Sequence, residues 1–314
     1  MVDVTDFIIG GLSAGCAGFF SNPLDVLKTR MQLQGELKAR GQHAVHYKNV
    51  FHAAIVVTKN DGILGLQKGV VAAVILHSIR NCIRLGLYQT ALKKGILTDE
   101  NGKTVFYKSF IISSVCGAAG AFVGSPLFLI KTQLQSQAVQ QIAVGFQHNH
   151  RGAISALKTI YSQHGLRGLW RGANGTVIRA VAGSSAQLTS FLMAKDALRD
   201  VAYLKNRPYL ISFIASFIGG VFQTVAVTPF DLISTRLYNQ GIDAQGRGLL
   251  YSGVIDCCVK VWKTEGFFGF YKGVGANYMR LAPHSVLTLV FWDYFKELHN
   301  VYLSKREIVI RQKL

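Results

Sequence analysis

Proline is scarce in this chain of 314 residues, with five in all. Acids are outnumbered by bases, 16 against 34, which sets the net charge at +18. Charged residues of both signs make up only 16%, half of the residues are apolar and mean hydropathy is positive. A soluble domain of this length is normally more polar. The five cysteines are odd in number and form no CxxC pair, which argues against a disulfide framework and a zinc site. No Ser/His/Asp set, metal-ligand spacing or Gly-rich phosphate loop occurs, so neither an enzyme nor a metal or cofactor is expected. Asp3 and Asp6 stand where a removable targeting segment would be basic, and no such segment is expected. No low-complexity tract or Pro/Ser-rich linker divides the chain, so residues 1–314 read as one domain.

The few prolines are placed with a period. Pro23, Pro126 and Pro229 lie 103 residues apart, and each opens a similar phrase: Pro23-Leu-Asp-Val-Leu-Lys-Thr-Arg, Pro126-Leu-Phe-Leu-Ile-Lys-Thr-Gln and Pro229-Phe-Asp-Leu-Ile-Ser-Thr-Arg. A second phrase recurs downstream as Asp61-Gly62…Lys68-Gly69, His164-Gly165…Arg171-Gly172 and Glu265-Gly266…Lys272-Gly273. Two independent markers at matching offsets make the chain one unit written three times, over about 4–97, 104–201 and 207–300.

Within repeat 1, residues 5–33 read as a long apolar helix with a proline kink. A polar loop, a short helix near 52–60 and a second long helix near 72–94 follow. The other repeats give short helices near 153–163 and 253–264 and long ones near 175–199 and 276–299. Six spans result. None is a clean run of 18 apolar residues, so their charges and amides must face one another or a water-filled cavity. Small residues four apart (Gly10, Ala14, Gly18; Ser113, Gly117, Ala121; Ser216, Gly220, Thr224) predict close helix approach. The basic residues recur at the ends of apolar segments, a placement suited to lipid headgroups and anionic solutes. They do not cluster on a polar face as a nucleic-acid binder requires.

The three proline phrases match the pattern P-x-[DE]-x-x-[KR], the second without its acid and the third without its base, and the chain resembles the mitochondrial carrier family from about Asp6 to His299. The resemblance implies an all-α membrane protein: six transmembrane helices in a three-fold pseudosymmetric bundle, with short helices on the matrix side. It also implies a monomer in the mitochondrial inner membrane that moves small metabolites by alternating access. In that family the acid of one repeat pairs with the base of the next at the matrix end. On this chain the pairs would be Asp25–Lys131, Asp231–Lys28 and Phe128–Ser234, the last having lost both charges. Losing both partners costs far less than stranding one. Gln32, Gln135 and Tyr238 resemble the braces beneath that ring. At the cytosolic end the corresponding set is eroded, leaving Gln89 opposite Lys195, and Asp293 and Lys296 with Lys93 as a possible partner for Asp293. The resting carrier is therefore expected to be closed to the matrix and open to the cytosol. Lys68-Gly69, Arg171-Gly172 and Lys272-Gly273, with Gly152 and Gly253, match places where the family holds cardiolipin, which is expected here as bound lipid. Arg30 and Arg236, just past the gate bases, are expected to meet lipid phosphate.

A solute lacks three-fold symmetry, so cavity residues that break the repeat are the binding candidates. Aligning the second long helices gives Leu76/Arg179/Arg280, His77/Ala180/Leu281, Arg80/Gly183/His284 and Arg84/Gln187/Thr288. Arg179-Ala180 and Arg280-Leu-Ala-Pro-His284 resemble phrases of carboxylate and keto-acid carriers. Without the family, the chemistry is the same: Arg179 and Arg280 lie far from helix ends, with no acid expected in the mid-cavity layers. Guanidinium forks bind carboxylate or sulfate oxygens in pairs. Arg80 and Arg84 would assist or snorkel toward headgroups; His77 and His284 would be ligands or hydrogen-bonded wall residues. The expected function is exchange of small dianions such as oxaloacetate, malonate, malate, sulfate or thiosulfate. The alternative on the same fold is a proton-leak carrier.

Overall fold

The computed structural model describes residues 4–38, 45–97, 105–199, 208–243 and 245–313, and every named element among the described residues is a helix. Repeat 1 holds α1 (Val4–Leu33), α2 (Val50–Asp61) and α3 (Val70–Lys93). Repeat 2 holds α4 (Phe106–Val123), α5 (Ser125–Ser136), α6 (Ala153–Leu169) and α7 (Ala173–Arg199). Repeat 3 holds α8 (Pro208–Asn239), α9 (Val254–Glu265) and α10 (Val274–Lys313). Helix α1 packs on α3 and α10, α4 on α3 and α7, and α8 on α7 and α10, so six long elements close into a ring. Apolar side chains such as Ile8, Phe20, Ile111, Phe222 and Leu289 are exposed on it. Four helices, α1, α3, α4 and α8, are long and apolar enough to cross a membrane.

Pro23 and Pro229 sit inside continuous helices, whereas Gly124 interrupts the chain between α4 and α5 just before Pro126. Pro126 has no N–H to give the Phe122 carbonyl four residues back. The Trp170 indole N–H donates to that carbonyl instead, at 3.0 Å. Small residues bring helices together unevenly. A Cβ at Gly18 would stand 2.9 Å from His77, one at Gly10 3.0 Å from Leu85, and one at Gly117 3.2 Å from Ser184. Gly220 meets nothing within 4 Å, so the expectation of close packing fails there; the Ser216 side chain lies outside the described residues.

The second phrase has a backbone reason. Gly62, Gly165 and Gly266, and again Gly69, Gly172 and Gly273, all have φ between +62° and +83°, a region costly for residues with a Cβ. Each later glycine docks the turn on the next repeat: Gly69 against Gln135, Gly172 against Tyr238 and Gly273 against Gln32. Gly69→Ala is expected to cost about 1–2 kcal/mol from backbone conformation alone. Its Cβ would also sit 3.2 Å from Gln135 Cγ. Thermal unfolding in detergent measures this, and a variant as stable as the parent would refute it.

Candidate functional site

Inside the ring, between α3, α7, α8 and α10, lies a cavity of about 270 Å³. All seven residues expected to hold the solute line it: His77, Arg80 and Arg84 from α3, Arg179 and Ala180 from α7, and Arg280 and His284 from α10. The histidine rings are 4.6 Å apart between centroids, and Ser21 Oγ lies 3.0 Å from His284 Nδ1. Asn81, Ser184, Gln223 and Val227 also line the cavity and escaped the sequence reading. Gln187 lies outside the described side chains.

Beneath the cavity are the two charged pairs. Lys131 meets Asp25, and Lys28 Nζ lies 2.6 Å from Asp231 Oδ2; all four side chains are almost fully buried. Gln32 donates to Asp231 Oδ2 at 3.0 Å and accepts from Thr235. Gln135 instead donates to Asn22 Oδ1 and accepts from Thr29. The Tyr238 hydroxyl bonds Ser125 and Thr176, while its ring packs on Phe128 with centroids 5.2 Å apart. A related pattern was not expected from the sequence: Asn22, Ser125 and Thr228, each just before a repeat proline, are buried and wired to neighbouring helices. Three polar residues at one register position were the available signal.

The expectation that no acid approaches the mid-cavity arginines is corrected. Arg179 Nη1 is 3.6 Å from Asp231 Oδ1, and Arg280 Nε is 3.5 Å from Asp25 Oδ1. Each of these carboxylates thus spans a lysine below and an arginine above. Arg179 Nε, Arg280 Nε and the two facing carboxylate oxygens are buried without a hydrogen-bond partner among the described residues. Buried donors left in this way favour an incoming anion. Arg80 and Arg84 form no ion pair among the described residues.

Toward the other end, Asp293 and Lys296 are exposed, and Gln89 is half-buried. Asp293 makes no ion pair among the described residues, so the pairing expected with Lys93 is absent, while Lys296 Nζ stands 5.5 Å over the Trp292 ring. Lys195 lies outside the described side chains.

Arg30 and Arg236 do not face lipid. Both are fully buried. Arg30 meets Asp61 at 2.7 Å and the Gln135 and Gln137 carbonyls, and Arg236 forms a two-pronged bond to Glu265 at 2.5 and 2.9 Å. The acids of the first and third glycine phrases supply the counter-charge, which holds each guanidinium inside. Lys68 and Lys272 join the same acids, at 3.2 and 2.5 Å, within their own repeats. Across repeats, Lys68 donates to the Gln137 carbonyl, Arg171 to that of Gln240, and Lys272 to those of Gln34 and Gly35, so the basic side chains of these turns link repeats. Burial raises the Asp61 and Glu265 carboxyls, but Arg30 and Arg236 outweigh it and hold them below the ordinary value. Helices α6 and α9 begin at Gly152 and Gly253 without a side-chain cap, whereas Asn49 caps α2 through the His52 N–H.

The family model for "Mitochondrial carrier protein" matches three segments, residues 3–98, 102–202 and 205–302. The chain is 46% identical over 297 residues to mouse (Mus musculus) "Solute carrier family 25 member 35", covering 95% of this chain and 99% of that protein. It is 40% identical over 299 residues to "Mitochondrial oxaloacetate transport protein" of Saccharomyces cerevisiae, covering 93% and 89%. With "Mitochondrial citrate transporter E" of Aspergillus niger it shares 37% over 287 residues, covering 90% and 89%.

Proposed function

Because the chain belongs to the mitochondrial carrier protein family, we propose that it is an inner-membrane antiporter of small dianions. It works as a monomer with six spanning helices, α7 and α10 completing the four more apolar ones, and it carries cardiolipin at its matrix-side turns. The observation that carries the substrate class is the pair of buried Nε donors on Arg179 and Arg280 that make no hydrogen bond among the described residues, with Arg80 and Arg84 beside them on the cavity wall. Six cations (Lys28, Lys131, Arg80, Arg84, Arg179, Arg280) stand against two carboxylates (Asp25, Asp231) in and under the cavity, a surplus of four. A dicarboxylate or keto acid offers two charged ends to such a set, and a sulfur oxoanion offers a compact one. The small cavity suits a metabolite of a few heavy atoms. The oxaloacetate and citrate named for two relatives are both carboxylates, which supports this reading. The solute bridges Arg179 and Arg280, and binding favours opening only through its preference for the occluded geometry.

The test is uptake of labelled oxaloacetate and sulfate into liposomes holding the purified protein, with and without internal dicarboxylate. Uptake is expected to need internal substrate. Arg280→Ala should slow it by roughly 10- to 100-fold, the loss of one charge-assisted contact. Fatty-acid-activated proton flux without any dianion exchange would overturn the proposal in favour of a proton leak.

A further inference from the structure

The ring of inter-repeat pairs has a gap where Phe128 and Ser234 replace the acid and the base. Ser234 spends its hydroxyl on the Phe230 carbonyl at 2.7 Å. Arg179, on α7 of repeat 2, reaches the seam instead, with Nη1 3.6 Å from Asp231 Oδ1 on α8 of repeat 3. Its guanidinium carbon stands 5.2 Å from the centre of the Phe128 ring, as does Lys131 Nζ. Tyr238 backs that ring.

We propose that Arg179 is the third inter-repeat link of the gate as well as a solute ligand, and that Phe128 is its positioning residue. A bound anion then removes a gate link by occupying the residue that makes it. That last consequence rests on the anion-exchange reading; the link itself does not.

Three observations carry the inference. First, Arg280 makes the equivalent contact to Asp25, but it joins repeats 3 and 1, a seam that Lys28 and Asp231 already close. Among the described residues, Arg179–Asp231 is the ion pair across the repeat 2–repeat 3 seam. Second, the contact is exchangeable. At 3.6 Å it is longer than a hydrogen bond, and Asp231 keeps Lys28 and Gln32 when Arg179 leaves. Withdrawal removes the link without stranding the carboxylate. Third, an aromatic face attracts a guanidinium without neutralising it. An acid at position 128 would pair with the arginine directly and compete with any solute.

The test uses a chain with its five cysteines replaced and Ser184→Cys placed in the cavity, reconstituted without substrate. An impermeant thiol reagent is applied from each side. Arg179→Gln is expected to raise matrix-side labelling roughly five-fold, a population shift toward the open gate. Phe128→Asp with Ser234→Lys, which rebuilds the lost pair, should return labelling in the Arg179→Gln chain to the parental rate. Phe128→Leu should raise labelling when Arg179 is present and add nothing when it is Gln. Cytosolic-side labelling at the parental rate serves as the folding control in every variant. Matrix-side labelling unchanged by Arg179→Gln, or equal increments from Phe128→Leu in both backgrounds, would overturn the link. Because no substrate is present, failure of the dianion reading shows in uptake and leaves this result intact.

Discussion

Asp25→Asn is expected to destabilise the protein by about 3–5 kcal/mol, the cost of breaking a buried ion pair from one side. Asp25 is buried between Lys131 and Arg280 and is the carboxylate that both approach. The amide keeps its shape but not its charge, which leaves two cations facing each other without an acid. Asp25→Asn/Lys131→Gln should recover much of that loss, because removing both charges spares the desolvation that the single variant leaves uncompensated. The natural pairing of Phe128 with Ser234 is a precedent within the same chain. Thermal unfolding of the four members of this cycle in one detergent reads the coupling directly. A double variant that loses the sum of two single losses would show that Asp25 and Lys131 act separately.

Glu265→Gln should be nearly as damaging, about 3 kcal/mol at neutral pH, and its effect should depend on pH. The Glu265 side chain is 1% exposed and bonds both Arg236 and Lys272. Lys272 in turn donates to the Gln34 and Gly35 carbonyls, so the network ties the end of α1 to repeat 3. Its carboxyl pKa lies below the ordinary value because the paired cations outweigh burial. Its stabilisation is therefore complete above the ordinary carboxylate range and is lost as pH falls through the lowered value. The gap between parent and Glu265→Gln should be widest at neutral pH and should close in acid. A gap independent of pH would mean that the glutamate acts through shape alone.

Much of this was legible in the residues. The proline period gives three repeats, and each of the four asymmetric layers on the second long helices puts at least two residues on the cavity wall. The glycine phrase was visible as a marker, but its reason was not. Six glycines at positive φ carry the turns that dock one repeat on the next. Arg30 and Arg236 were misread because they follow the gate bases at a helix end, where lipid phosphate is the nearest partner a linear reading supplies. Their true partners, Asp61 and Glu265, lie about thirty residues onward and return through the fold.

By itself the sequence determined the repeat, the helices and the charge inventory, because these depend on local spacing and on which residue types recur. It also determined that Phe128 and Ser234 stand where the other repeats carry an acid and a base. Only the tertiary structure decided who meets whom across the seams: that Arg179 and Arg280 lean on Asp231 and Asp25, that Phe128 offers its ring to two cations, and that the basic turns face inward. A long side chain on one helix can reach several neighbours, and its choice depends on distances of a few ångströms between elements far apart in the chain. Periodicity carries no information at that scale.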